Sequence, residues 1–166
     1  MPRGRSNTPI AKTLIANNLS HRGFSTSFIE KDPHCDIIVT NKSGREVPIK
    51  VKAVNASSVN KWQFSDITKY CEITFSGTKK QIVGTLKPCP LVGLIMILVI
   101  IDGENGKFFI LEWERFQKLL VGHYKDYLAK HGGMRPRNPE SLHCAIEESI
   151  LHPYNEKWDT IENKLK

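Results

Sequence analysis

Asp36, Lys50 and Lys52 are the residues whose types and spacing could do chemistry, and all lie in the stretch DPHCDIIVTNKSGREVPIKVKA, Asp32 to Ala53. Asp36 opens the apolar run Ile37-Ile38-Val39. Asn41-Lys42-Ser43-Gly44 then brings turn chemistry, since Asn and Gly tolerate positive φ where other residues do not. A second run, Val47 to Val51, follows. Side chains alternate along a strand, so Lys50 and Lys52 leave one face and Ile49 and Val51 the other. The pattern predicts a two-stranded unit with an acid on one strand and two ammonium groups on its neighbour. Two uses are open to such a group: contact with phosphate, or a solvated strand face on which Asp36 pairs with a lysine.

The flanking chain must position this unit. Thr8 can cap a helix whose first position is Pro9, and Ile10, Leu14, Ile15 and Leu19 recur at helical spacing up to Gly23. Phe24 to Ile29 alternates like a half-buried strand. Beyond the unit, Trp62 and Phe64 are aromatic anchors, and Asp66 to Phe75 fits a short helix or a strand equally. Gln81 to Leu86 is strand-like. Leu91 to Ile101 has the pattern of a strand covered on both faces, Asp102 to Gly106 that of a hairpin turn, and Lys107 to Leu111 that of its return strand. A helix begins near Glu112, with Trp113, Phe116 and Leu120 inward, and ends at His131-Gly132-Gly133. A last helix is expected from Glu140 to Leu151, carrying Leu142, Ile146 and Ile150. The C-terminal segment, with Tyr154, Trp158, Ile161 and Leu165, should pack on the core. The order predicts one mixed α/β domain over residues 9–166, a single sheet flanked by helices, behind a disordered basic N-terminus at residues 1–8.

At 166 residues, 40% of them hydrophobic, the chain can bury a proper core. Its net charge of +7 is uneven: residues 1–90 hold 14 Lys and Arg against 6 Asp and Glu, giving +8, and residues 91–166 hold 10 against 11, giving −1. A basic half invites a polyanion, most often nucleic acid. Lys79, Lys80, Arg135 and Arg137 are candidate backbone contacts and Trp62 a candidate stacking platform; surface charge and core aromatic are the alternatives. The four cysteines (Cys35, Cys71, Cys89, Cys144) form no C-x-x-C pair and have no His at zinc-ligand spacing, so they read as reduced thiols of a cytoplasmic protein. The N-terminus lacks the apolar segment of a signal peptide. The longest apolar stretch, Leu91 to Ile101, is about half the ~20 residues a membrane helix needs, so no membrane partner is expected. The six histidines form no constellation, and the Ser-His-Asp, H-E-x-x-H and Rossmann signatures are missing.

A helix ending in Gly23-Phe24, a strand opened by Asp36-Ile37-Ile38-Val39, and Ile49-Lys50-Val51-Lys52 followed by small polar residues and a Trp together resemble the PD-(D/E)XK nuclease-like superfamily. The likeness is to small bacterial proteins of restriction-endonuclease-like fold and covers residues 9–120; Trp158-Asp159-Thr160-Ile161 is also similar to the way such proteins end. The resemblance implies a restriction-endonuclease-like central mixed sheet, Mg²⁺-dependent hydrolysis of DNA and, as often in the superfamily, a homodimer. In that chemistry a divalent cation polarises the phosphate and lowers the pKa of a water, and oxygen ligands hold the cation. By position, Asp36 would be a metal ligand and Lys52 the motif lysine that steadies or deprotonates the attacking water.

Lys50 stands where the superfamily has Glu, Asp or Gln. Two unit charges ~4 Å apart repel by ~4 kcal/mol at an effective dielectric of 20, and a dication doubles that. The first helix offers only Asn17 and Asn18 where many members carry Glu. Glu46 lies roughly 20 Å along the strand from Lys52, too far to substitute. Asp66 or Glu72 could arrive from the connector. Two expectations follow from the resemblance. One is a Mg²⁺-dependent DNA endonuclease completed by an acid from elsewhere. The other is a catalytically inactive DNA- or RNA-binding or protein-interaction module on the same fold.

Overall fold

A computed structural model of the chain describes residues 7–77 and 79–166, so most of the N-terminal segment expected to be disordered lies outside the described residues. In chain order the elements are α1 (Thr8–His21), β1 (Ser25–Phe28), β2 (Ile37–Thr40), β3 (Glu46–Asn55), β4 (Lys61–Phe64), a 3-10 turn (Ile67–Lys69), β5 (Cys71–Phe75) and β6 (Gln81–Leu86). There follow β7 (Ile95–Asp102), β8 (Asn105–Glu112), α2 (Trp113–Lys130), β9 (Cys144–Glu147), a second 3-10 segment (Glu148–Tyr154) and α3 (Asp159–Lys164). The central sheet has the order β1-β2-β3-β7-β8. It is mixed: β3 and β7 run parallel, and every other neighbouring pair is antiparallel.

The parallel pair sits at the centre because its residues can be covered on both sides. In β7, Ile95 to Ile101 are all buried. On one face, Ala11, Ile15 and Leu19 of α1 and Ile161 of α3 pack over Ile49, Val51, Ile95 and Ile97. On the other, Phe116, Leu120 and Tyr124 of α2 join Met96, Leu98, Phe109 and Leu111. The hairpin between β2 and β3 forms as its turn chemistry demands. Asn41 Oδ1 accepts the N–H groups of Ser43 and Arg45, and Gly44 takes φ +86°. Asn41 Nδ2 donates to the carbonyl of Leu165, so the C-terminal residues clasp the turn.

Four expectations need correction or refinement. The strands do not form a single sheet: beside the five-stranded sheet, β4 pairs with β9 and β5 with β6 as two separate two-stranded sheets, because each finds its hydrogen-bonding edge away from the central strands. The helix expected over residues 140–151 is absent: β9 and the second 3-10 segment occupy that stretch. Leu142, Ile146 and Ile150 have helical spacing, but Cys144 and Ile146 are both buried on one side of a strand and pair with Phe64 and Trp62 of β4. A helix here would strip β4 of its hydrogen-bonding partner. The ambiguous connector becomes both alternatives in turn, a 3-10 turn capped by the Asp66 side chain and then strand β5. Helix α1 begins one residue earlier than Pro9, with Asn7 rather than Thr8 at the cap position.

Candidate functional site

Alternation along β3 and its register with β7 set the site. Lys50 lies opposite Met96 and Lys52 opposite Leu98, so both lysines leave the sheet on the α2 face while Ile49 and Val51 go under α1. Asp36 sits just before β2, where its N–H donates to the carbonyl of Ile49 at 2.8 Å. Its Oδ2 accepts the Val51 N–H at 2.7 Å and lies 3.5 Å from Lys50 Nζ. Asp36, Lys50 and Lys52 therefore do meet, along one wall of a cleft of about 760 Å³.

The opposite wall comes in part from the connector, Asp66 to Phe75, whose sequence fits a helix or a strand equally. Asp66, Lys69 and Tyr70 reach the cleft from the 3-10 turn, Lys87 to Pro90 from the chain after β6, and Trp113 from the first position of α2, with Phe64 and Met96 as apolar lining. Buried Gln117 of α2 fixes this wall by donating to the carbonyls of both Tyr70 and Lys87 at 2.7 Å. Lys69 and Lys87 were missed because their places depend on this packing, and no spacing in the sequence signals it.

Four lysines and two aspartates thus line one cleft, two lysines and one aspartate on each wall. Lys50 has Asp36, but among the described residues no ion pair includes Lys52, Lys69 or Lys87. Lys52 is half-buried, and its Nζ lies 5.0 Å from the centre of the Phe64 ring. Burial, then the neighbouring charges of Lys50 and Lys69, push its amine below the ordinary lysine value. Asp66 Oδ1 accepts the Thr68 N–H at 2.9 Å and the Thr68 hydroxyl. The hydroxyl bond is the main reason its carboxyl is held below the usual range, with Lys69 and Lys87 adding to it.

The donor set does not suit a divalent cation. Mg²⁺ wants carboxylate and carbonyl oxygens in octahedral array. Here one oxygen of each aspartate is already bound within the protein, and an ammonium group lies against Asp36. Among the described residues no group of three or more His, Cys, Asp or Glu side chains is arranged to hold a metal. Asp66 does arrive from the connector, whereas Glu72 points to solvent from β5 and is not among the cleft residues.

The other predicted contacts lie elsewhere. Trp62 is fully buried, edge-on to Phe109 at 5.8 Å, and donates Nε1–H to the carbonyl of Val99, so it is a core residue and is not exposed for a base to stack on. Lys79 and Lys80 are exposed at the tip of the β5–β6 hairpin, and Lys79 lies 3.7 Å from Glu140. Strand β6 separates that tip from Lys87 by roughly 20 Å. Arg135 stacks on Tyr124 and Tyr127 and donates to the carbonyls of Ser141 and His143. Its guanidinium holds the loop after α2 instead of projecting outward. Arg137 is exposed in that loop, away from the cleft.

Fold and cleft together define a small α/β domain with a mixed central sheet and a lysine-lined cleft on its α2 face. No family model, no curated protein and no solved structure matches the chain. Among the described residues no helix is long and apolar enough to cross a membrane.

Proposed function

We propose that this chain is a restriction-endonuclease-like domain that binds nucleic acid in its lysine cleft and does not hydrolyse it. The observation that carries the reading is Lys52. This half-buried lysine has no ion-pairing carboxylate among the described residues and faces a cleft shared with two more lysines that also lack one. Like charges gathered around one cleft, one of them half-buried, repel one another until an anion joins them. A phosphodiester strand supplies such anions in series. The cleft volume suits a short single-stranded stretch or strand end, with Phe64, Tyr70, Met96 and Trp113 as apolar surface for sugar and base.

The kinship with PD-(D/E)XK nucleases is supported by Asp36 at the head of β2 and Lys52 on β3 facing one cleft. Lys50 beside Asp36 and the shortage of free carboxylate oxygens argue against the Mg²⁺-dependent step, so binding without hydrolysis is preferred. One chain supplies the whole cleft, and the reading needs no homodimer. The test is titration of labelled single-stranded DNA with the protein, alongside incubation of the same DNA and of plasmid with Mg²⁺ or Mn²⁺. Salt-sensitive binding with intact substrate is expected. Cleavage that disappears in both Asp36→Ala and Lys52→Ala would overturn the non-hydrolytic reading, and no binding at low salt would overturn the nucleic-acid reading.

A further inference from the structure

Lys52 differs from its neighbours in more than lacking a counter-ion. Lys50 is paired with Asp36, and Lys69 and Lys87 are exposed to solvent. Lys52 alone is anchored on a central strand, half-buried, with its amine over an aromatic ring and open to the cleft. No carboxylate among the described residues lies close enough to hold a proton on it. Lysines desolvated beside other cations are the ones that act as amine nucleophiles toward carbonyl compounds.

We propose that Lys52 forms an imine with the aldehyde of a ring-opened abasic sugar in a nucleic-acid strand whose flanking phosphates are held by the other cleft lysines. The proposal rests on the nucleic-acid reading of the cleft. An abasic sugar offers the Lys52 amine an electrophilic carbon and offers the surrounding lysines a phosphate on each side of it. The missing base leaves room for the lysine stem to approach. The Lys52 lone pair attacks the aldehyde carbon, forming the C–N bond. The carbonyl oxygen then leaves as water with both amine protons, giving the C=N bond with no change in oxidation state. Burial, Lys50 and Lys69 favour the neutral amine this requires, while Cys144 and the face of the Phe64 ring favour the ammonium.

The test is borohydride trapping. The protein is mixed with a single-stranded oligonucleotide carrying one abasic site, sodium borohydride is added, and the covalent adduct is detected by gel and located by peptide mass mapping. Wild-type protein and Lys80→Arg, altered outside the cleft, should give an adduct mapping to Lys52. Lys52→Arg, which keeps the charge, should lose it while keeping the wild-type melting temperature. No adduct despite salt-sensitive binding of an intact strand overturns the imine and leaves the binding reading standing. An adduct mapped to another lysine also overturns it, as does trapping of glyceraldehyde 3-phosphate but not of the strand. Failure to bind either strand overturns the nucleic-acid reading beneath it.

Discussion

Removing Lys69 and Lys87 together should flatten the salt dependence of strand binding by a calculable amount. Each ammonium that replaces a counterion on single-stranded nucleic acid contributes about −0.7 to the slope of log affinity against log salt. Lys50 is already neutralised by Asp36, so Lys52, Lys69 and Lys87 set the slope of the wild-type protein. Three such contacts give a slope of about −2.1, and raising salt from about 50 to about 200 mM should then weaken binding ~18-fold. The Lys69→Ala/Lys87→Ala variant keeps one contact, and the same salt step should cost it only about 3-fold. Fluorescence anisotropy with a labelled oligonucleotide at four or more salt concentrations measures both slopes. Both side chains are exposed, so the variant should fold. An unchanged slope in this variant, or an equal loss of slope in Lys80→Ala or Arg137→Ala, would refute the assignment of binding to the cleft.

Trp62→Phe should lower the unfolding free energy by about 1–2 kcal/mol, because the bond to Val99 is lost from the core, while strand affinity stays the same; a loss of affinity at unchanged stability would restore Trp62 as a contact. Lys50→Glu places a second carboxylate beside Asp36 and should make the melting temperature rise with added Mg²⁺ or Mn²⁺. The wild-type protein should show no such rise, and an equal rise in both would mean that Lys50 is not what blocks a metal. Glu148 is held below its ordinary value of 4.5 by hydrogen bonds from Lys107 and Asn60. Its lowered folded pKa means the carboxylate stabilises the fold above about pH 4.5, and that contribution fades as pH falls through the folded value. Denaturant unfolding of wild type and Glu148→Gln should therefore differ at pH 7, and the difference should shrink as pH falls below 4.5; a constant gap would count against the linkage.

Where information is local, the sequence was readable. Asn41 and Gly44 make a turn by their own side-chain and backbone preferences, and strict alternation then fixes which face Lys50 and Lys52 occupy. The same holds for β7, whose unbroken apolar run admits only a doubly covered strand, and for α2, whose inward residues recur at helical spacing. Local signals failed where a distant partner decides. Residues 144–147 are a strand because Trp62 and Phe64, some eighty residues earlier, need that edge. Asp66, Lys69 and Lys87 form half of the cleft because the β5–β6 pairing runs on into a Lys87 N–H to Tyr70 carbonyl bond, and Gln117 holds both residues to α2. Trp62 could be named as an aromatic anchor from sequence, but its depth depends on Phe109 and β9.

The two walls of the cleft have unlike supports. Asp36, Lys50 and Lys52 hang from the five-stranded sheet, whereas Asp66, Lys69 and Lys87 belong to a 3-10 turn and a hairpin flank outside it. Grafting a different 66–90 segment could retune what the domain grips while the sheet keeps its shape, provided the graft still offers two backbone carbonyls to Gln117. That glutamine is the socket into which an exchangeable jaw would plug.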